Sequence, residues 1–103
     1  MTKVLLVCGS GASSGFMAAA ARKAVKKAGS EIEFKARSDS ELGEFLEGTD
    51  LLLIAPHLKY MLDDAQKDAD KYNVKVAIIP QKVYGALDGD GLLKYAEEQL
   101  NIG

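Results

Sequence analysis

The chain contains one cysteine, Cys8, and the residues around it are unlike those around a buried structural thiol. The run "VLLVCGSGASSGFM" (4–17) enters the cysteine through apolar residues and leaves it through seven small uncharged ones, Gly9 to Gly15. A lone cysteine at a strand end is ordinarily a small core residue; the glycine-rich turn behind it sets this one apart. Glycines let successive backbone N–H groups curl toward one point and form an anion nest. A helix starting after the turn adds unpaired N–H groups and the positive end of its dipole. Phosphate is the matching oxyanion. The same field favours thiolate over thiol, and cysteines at helix N-termini fall from a pKa of ~8.5 to between ~3.5 and ~7.5. Cys8 is thus a candidate nucleophile, and Gly9, Ser10, Gly11, Ala12, Ser13, Ser14 and Gly15 a candidate cradle for a phosphoryl group on its sulfur. Ser10, Ser13 and Ser14 also suit plain turns and caps.

The strands and helices that must position this loop follow from periodicity. "KVLLV" (3–7) and "DLLLIAP" (50–56) are continuous apolar runs, as expected of strands buried on both faces. "EIEFKAR" (31–37) alternates Ile32, Phe34 and Ala36 with polar residues and fits an edge strand. "VKVAIIP" (74–80) supplies a fourth strand. Between them, Ser13 or Ser14 can cap a helix that Gly29 ends. Ser38 and Glu41 have capping-box spacing ahead of Leu42, Phe45 and Leu46, with Gly48 closing that helix. A third helix carries Leu58, Met61, Leu62, Ala65, Ala69 and Tyr72 on one stripe and stops at Asn73. "QKVYGALDGDG" reads as a loop with two Asp-Gly turns before a last helix with Leu92, Leu93, Ala96 and Leu100 inward.

Four strand–helix alternations in 103 residues predict one α/β domain spanning 1–103. The expected architecture is a four-stranded parallel sheet of order 2-1-3-4 with helices on both faces. It is flavodoxin-like, as in the low-molecular-weight tyrosine phosphatases. Ligands in such sheets bind at the carboxyl edge where strand order reverses. Cys8 ends strand 1 and His57 follows strand 3, so both fall at that edge.

Composition narrows the class. A net charge of −2 and a pI near 5.3 give no overall electrostatic footprint for nucleic acid or an anionic membrane surface. The apolar runs are too short to span a bilayer, so no membrane insertion is expected. "MTKVLLVCGSG" lacks the long apolar core of a signal peptide, and a single thiol suits a reducing cytoplasm. The acidic pairs Asp63-Asp64 and Glu97-Glu98 read as solvated faces without metal-ligand spacing, and neither metal nor cofactor is expected.

Known phosphate loops fit poorly. Walker A requires a lysine that the segment between Cys8 and Met17 lacks. Cysteine phosphatases and the related arsenate reductases carry arginine six residues after the cysteine, where this chain has Ser14. Without a guanidinium, charge on an attacked phosphoryl group is poorly stabilised against water. Three classes stay open on the residues alone: a phosphocarrier, a phosphatase or arsenate-reductase relative drawing its cation from elsewhere (for instance Lys59), and a non-catalytic phosphate-binding module. Phe16, Met17, Leu58, Tyr60 and Met61 are mostly core by spacing, with one or two available to ring Cys8 as a docking patch.

The Cys8 motif, together with "LLLIAPHLKYMLDD" and "VYGALDGDGLLKYAEE", closely resembles the IIB components of the lactose/cellobiose/chitobiose branch of the bacterial sugar phosphotransferase system. The resemblance covers essentially the whole chain. It implies that Cys8 accepts a phosphoryl group from phosphohistidine on a IIA component. It implies further that Cys8 passes the group to a sugar translocated by a membrane IIC component. Members of that family often carry glutamine at the position of His57, so the resemblance assigns that histidine no role. His57 and Tyr84 stand as secondary candidates.

Overall fold

A computed structural model describes residues 2–7, 12–37 and 46–101. Its strands are β1 (Thr2–Val7), β2 (Ile32–Arg37), β3 (Leu51–Ile54) and β4 (Lys75–Ile78), all parallel, in the order β2-β1-β3-β4. Its α-helices are α1 (Ala12–Ala28), α2 (Leu62–Asp70), α3 (Gln81–Gly85) and α4 (Gly89–Leu100), with a 3-10 helix at Pro56–Met61. The expected strand order and direction are those observed, with boundaries within two residues.

Burial explains the order. Val4 to Val7 and Leu51 to Ile54 are covered on both faces, so β1 and β3 are central. Val4, Leu6, Leu51 and Leu53 face a cluster with Met17, Ala21 and Ala24 of α1 and Leu92 and Ala96 of α4. Leu5, Val7, Leu52 and Ile54 face the opposite cluster with Leu58, Ala65 and Ala69. Each such large side chain contributes about 1.5–3 kcal/mol on burial. On β2, Ile32 and Phe34 are buried while Lys35 is exposed, as an edge strand requires.

The stops follow backbone chirality. Gly29 has φ +67°, and Ser30 N–H bonds to Val25 O at 3.0 Å, the closing bond of a Schellman motif. Asn73 has φ 57°, and Val74 N–H reaches Ala69 O at 3.0 Å in the same way.

Several expectations are corrected. α1 begins at Ala12, so Ser13 and Ser14 lie inside its first turn rather than capping it. The third helix opens as 3-10, with Leu58 off helical geometry at φ −106° and ψ 17°. Its α-helical part ends at Asp70, so Tyr72 leaves the stripe and is 42% exposed. The segment after β4 is not all loop: Gln81–Gly85 is helical, and the Asp88 carboxylate accepts from Gly91 N–H at 2.9 Å. The two Asp-Gly pairs thus open α4 instead of making two turns. The Ser38–Glu41 capping box, with Leu42 and Phe45, lies outside the described residues; Leu46 is fully buried, as expected.

Candidate functional site

The carboxyl edge of the sheet is levelled by two backbone bonds. Ala55 N–H donates to Val7 O at 3.0 Å, and Ile79 N–H donates to Ile54 O at 2.8 Å. In register, Val7 pairs with Ile54, and Ile54 with Ile78. Three consecutive strands therefore end together. Two prolines turn the chain out of the sheet there. Ala55, held extended at φ −58° and ψ 146°, precedes Pro56, as steric exclusion before proline demands. Pro80 starts α3 after β4.

Between Val7 and Ala12 lies the candidate loop. Cys8, Gly9, Ser10 and Gly11 are outside the described residues. Ala12, Ser13, Ser14 and Gly15 form the first turn of α1, whose leading N–H groups have no partner within the helix. A 17-residue helix thus has its positive end at Ala12, five residues after the end of β1. No acidic side chain occupies that first turn to neutralise it.

His57 and Tyr84 come from different segments, one after β3 and one after β4. Their rings meet, with centroids 5.7 Å apart and planes inclined by 53°. His57 is exposed, while Tyr84 is half-buried against the α1–α4 cluster. The two secondary candidates therefore form one aromatic pair near the carboxyl edge, a contact that the sequence reading did not supply.

The apolar residues considered for a docking patch divide cleanly. Met17 and Leu58 are buried, and Met61 is half-buried. Phe16 is 67% exposed and Tyr60 76% exposed, so these are the one or two that spacing left available outside the core. The signal for Phe16 was available: at 3.6 residues per turn it shares a face with Lys23 and not with Met17, Ala21 and Ala24.

Comparison with known proteins bears on the family and the fold. The family model described as PTS system, Lactose/Cellobiose specific IIB subunit, matches residues 3–95. The chain is 33% identical over 89 residues to the oligo-beta-mannoside-specific EIIB component of Bacillus subtilis, covering 86% of each. It is 33% identical over 100 residues to the lactose-specific EIICB component of Streptococcus mutans, where it spans 95% of this chain but 18% of that longer relative. The lactose-specific IIB component domain from Streptococcus pneumoniae superposes with a TM-score of 0.86 at 17% identity, covering 95% of this chain and 96% of the other.

Proposed function

The chain belongs to the lactose/cellobiose-specific IIB subunits of the sugar phosphotransferase system, and from that membership we propose a phosphoryl relay through Cys8. The Cys8 thiolate attacks the phosphorus of a phosphohistidine on a IIA component. An S–P bond forms as the N–P bond breaks, and the imidazole leaves. A hydroxyl of the sugar then attacks the phosphorus, an O–P bond forms, the hydroxyl proton is released, and the thiolate is restored. Backbone N–H groups of the Gly9–Gly15 segment hold the phosphoryl oxygens throughout.

The observation that supports this reading most is the junction between Val7 and Ala12: a central strand ends beside Ala55, and a long helix starts five residues later with no acidic side chain in its first turn. The positive end of a helix favours thiolate over thiol and favours a bound dianion. Relatives bear names specific for oligo-beta-mannoside, lactose, galactose and cellobiose. A β-linked disaccharide is accordingly the proposed acceptor, delivered by a membrane IIC component, with the chain acting in the cytoplasm. Among the described residues no helix is long and apolar enough to cross a membrane.

The test is labelling. Incubated with phosphoenolpyruvate, the general phosphotransferase proteins and a cognate IIA, the protein takes up one phosphoryl group. Cys8→Ser takes up none, because a serine hydroxyl stays protonated at neutral pH. Peptide mapping that puts the phosphate on His57 overturns the assignment.

A further inference from the structure

We propose that the outer face of α1 docks on an anionic lipid bilayer, with Phe16 as its apolar anchor and Arg22, Lys23, Lys26 and Lys27 as its electrostatic contacts. The net charge of −2 conceals this face. The sequence of α1, "ASSGFMAAAARKAVKKA", contains four cations and no carboxylate. Those four are drawn from only 13 in the chain, which also has 15 acidic residues. The carboxylates of α2 (Asp63, Asp64, Asp68 and Asp70) sit on the helix that covers the opposite face of the sheet.

The four cations are exposed and share one arc of the helix, roughly 140° wide at 3.6 residues per turn. Arg22 is partly fixed by donating from Nε to Phe34 O at 3.1 Å. Lys23 and Lys27 border a groove of about 410 Å³ between α1 and α4, floored by Ala20, Ala24 and Gly89; Asp90 is the one carboxylate lining it. Phe16 falls within the same arc, between Lys23 and Lys27 in angle, and is 67% exposed. A single exposed apolar residue is ordinary. An exposed aromatic in line with four cations on a helix without carboxylates suits an anionic surface: the cations meet phosphates and the ring enters the headgroup boundary, while the apolar face of α1 stays in the core. A bilayer offers phosphates to all four cations and an apolar boundary to the ring on one surface, and it is the occupant proposed.

The position suits the relay without depending on it. Phe16 directly follows the candidate cradle in sequence, so docking by this face holds that end of the domain beside the membrane. Relatives of EIICB type join this domain to a IIC component in one chain. Each basic residue near an anionic surface contributes about fivefold in partitioning. The overall negative charge opposes this, so the docking is weak, reversible and salt-sensitive.

The experiment is sedimentation of the full-length protein with vesicles of phosphatidylcholine plus phosphatidylglycerol, and with phosphatidylcholine alone. Binding is expected only with the anionic lipid, falling about tenfold or more as salt is raised from low to physiological ionic strength. Lys23→Glu with Lys27→Glu removes it, and Phe16→Ala weakens it several-fold, with folding of each variant checked by circular dichroism. The same charge change on α2 and its end, Lys67→Glu with Lys71→Glu, leaves most of it. Absence of binding to the anionic vesicles, or equal losses from the two lysine pairs, overturns the proposal. So does binding that requires the IIC component in the vesicles and ignores lipid charge, which assigns the face to a protein. Cys8→Ser retains this face, so failure of the relay and failure of docking are read separately.

Discussion

His57 and Tyr84 meet ring to ring at 5.7 Å although one follows β3 and the other follows β4. The contact ties the 3-10 helix Pro56–Met61 to α3, two segments that leave the sheet at adjacent strand ends. Tilted aromatic pairs of this kind contribute about 0.5–1.5 kcal/mol beyond the area they bury. A double-mutant cycle of His57→Ala and Tyr84→Ala should therefore return a stabilising coupling of that size by urea unfolding. Strictly additive losses would show that the rings touch without interacting. Tyr84→Ala alone should cost more than His57→Ala, because Tyr84 is the half-buried partner and His57 the exposed one.

Gly89 is a point of close approach between α4 and α1. A Cβ there would run into the backbone carbonyl of Ala20. Backbone cannot yield as a flexible side chain does, so Gly89→Ala should destabilise the protein by about 1–3 kcal/mol. Gly85, at the end of α3, has nothing within 4 Å of such a Cβ and no positive φ. Gly85→Ala should be neutral or stabilising by up to about 1 kcal/mol. Paired thermal melts decide it, and similar Tm values for the two variants would refute the close-approach account.

Tyr95 links α4 to β4 by donating from its hydroxyl to Ile78 O at 2.8 Å. Burial, with the Glu98 carboxylate adding to it, pushes this phenol above its ordinary value of 10.0. The protonated form is thus the one that the fold favours. Its stabilisation is fully present below pH 10 and is lost as pH rises through the higher folded-state pKa. Tyr95→Phe should cost about 1 kcal/mol at neutral pH, the value of one hydrogen bond. It should also flatten the alkaline fall in stability. Unfolding curves taken from pH 8 to 11 check both signs, and an unchanged alkaline fall in the variant would assign it to other groups.

What was legible in the sequence was what local chemistry dictates. Val4–Val7 and Leu51–Ile54 read as central strands because nothing polar interrupts them, and Ile32 with Phe34 as an edge because something does. Gly29 and Asn73 marked helix ends because both adopt positive φ. Asp88-Gly89 misled because the same pair serves a turn or a cap, and only the approach of α4 to Ala20 selects the cap. Tyr72 misled because a periodic stripe does not say where the helix stops. At the candidate site, the edge was legible and the helix start was not, because serines suit a cap as well as a first turn, and the His57–Tyr84 pair depends on β3 lying beside β4, a non-local fact.

The relay requires that phosphocysteine outlive its encounter with IIA and wait for the sugar. Hydrolysis needs water positioned opposite the sulfur and charge stabilised on the phosphoryl oxygens. The Cys8–Gly15 segment contains no Asp or Glu to act as acid or base, and Ser14 stands where cysteine phosphatases have arginine. Removing one strong electrostatic donor from such a site typically costs about 10²–10³ in rate. Turnover of aryl phosphates by the unmodified protein should therefore be negligible, and phosphoenzyme decay much slower than transfer to a sugar-loaded transporter. Ser14→Arg should speed that decay. Because α1 begins at Ala12, position 14 is helical and not the cap, so arginine, a good helix former, removes no capping hydroxyl there. The measurement is to label the protein, remove the donor and follow loss of phosphate with time in both forms. Faster loss in the variant, with the wild type stable, supports a loop built to hold a phosphoryl group and lacking one cation to hydrolyse it. Multiple turnovers of a simple phosphate ester by the wild type would instead make the protein a phosphatase.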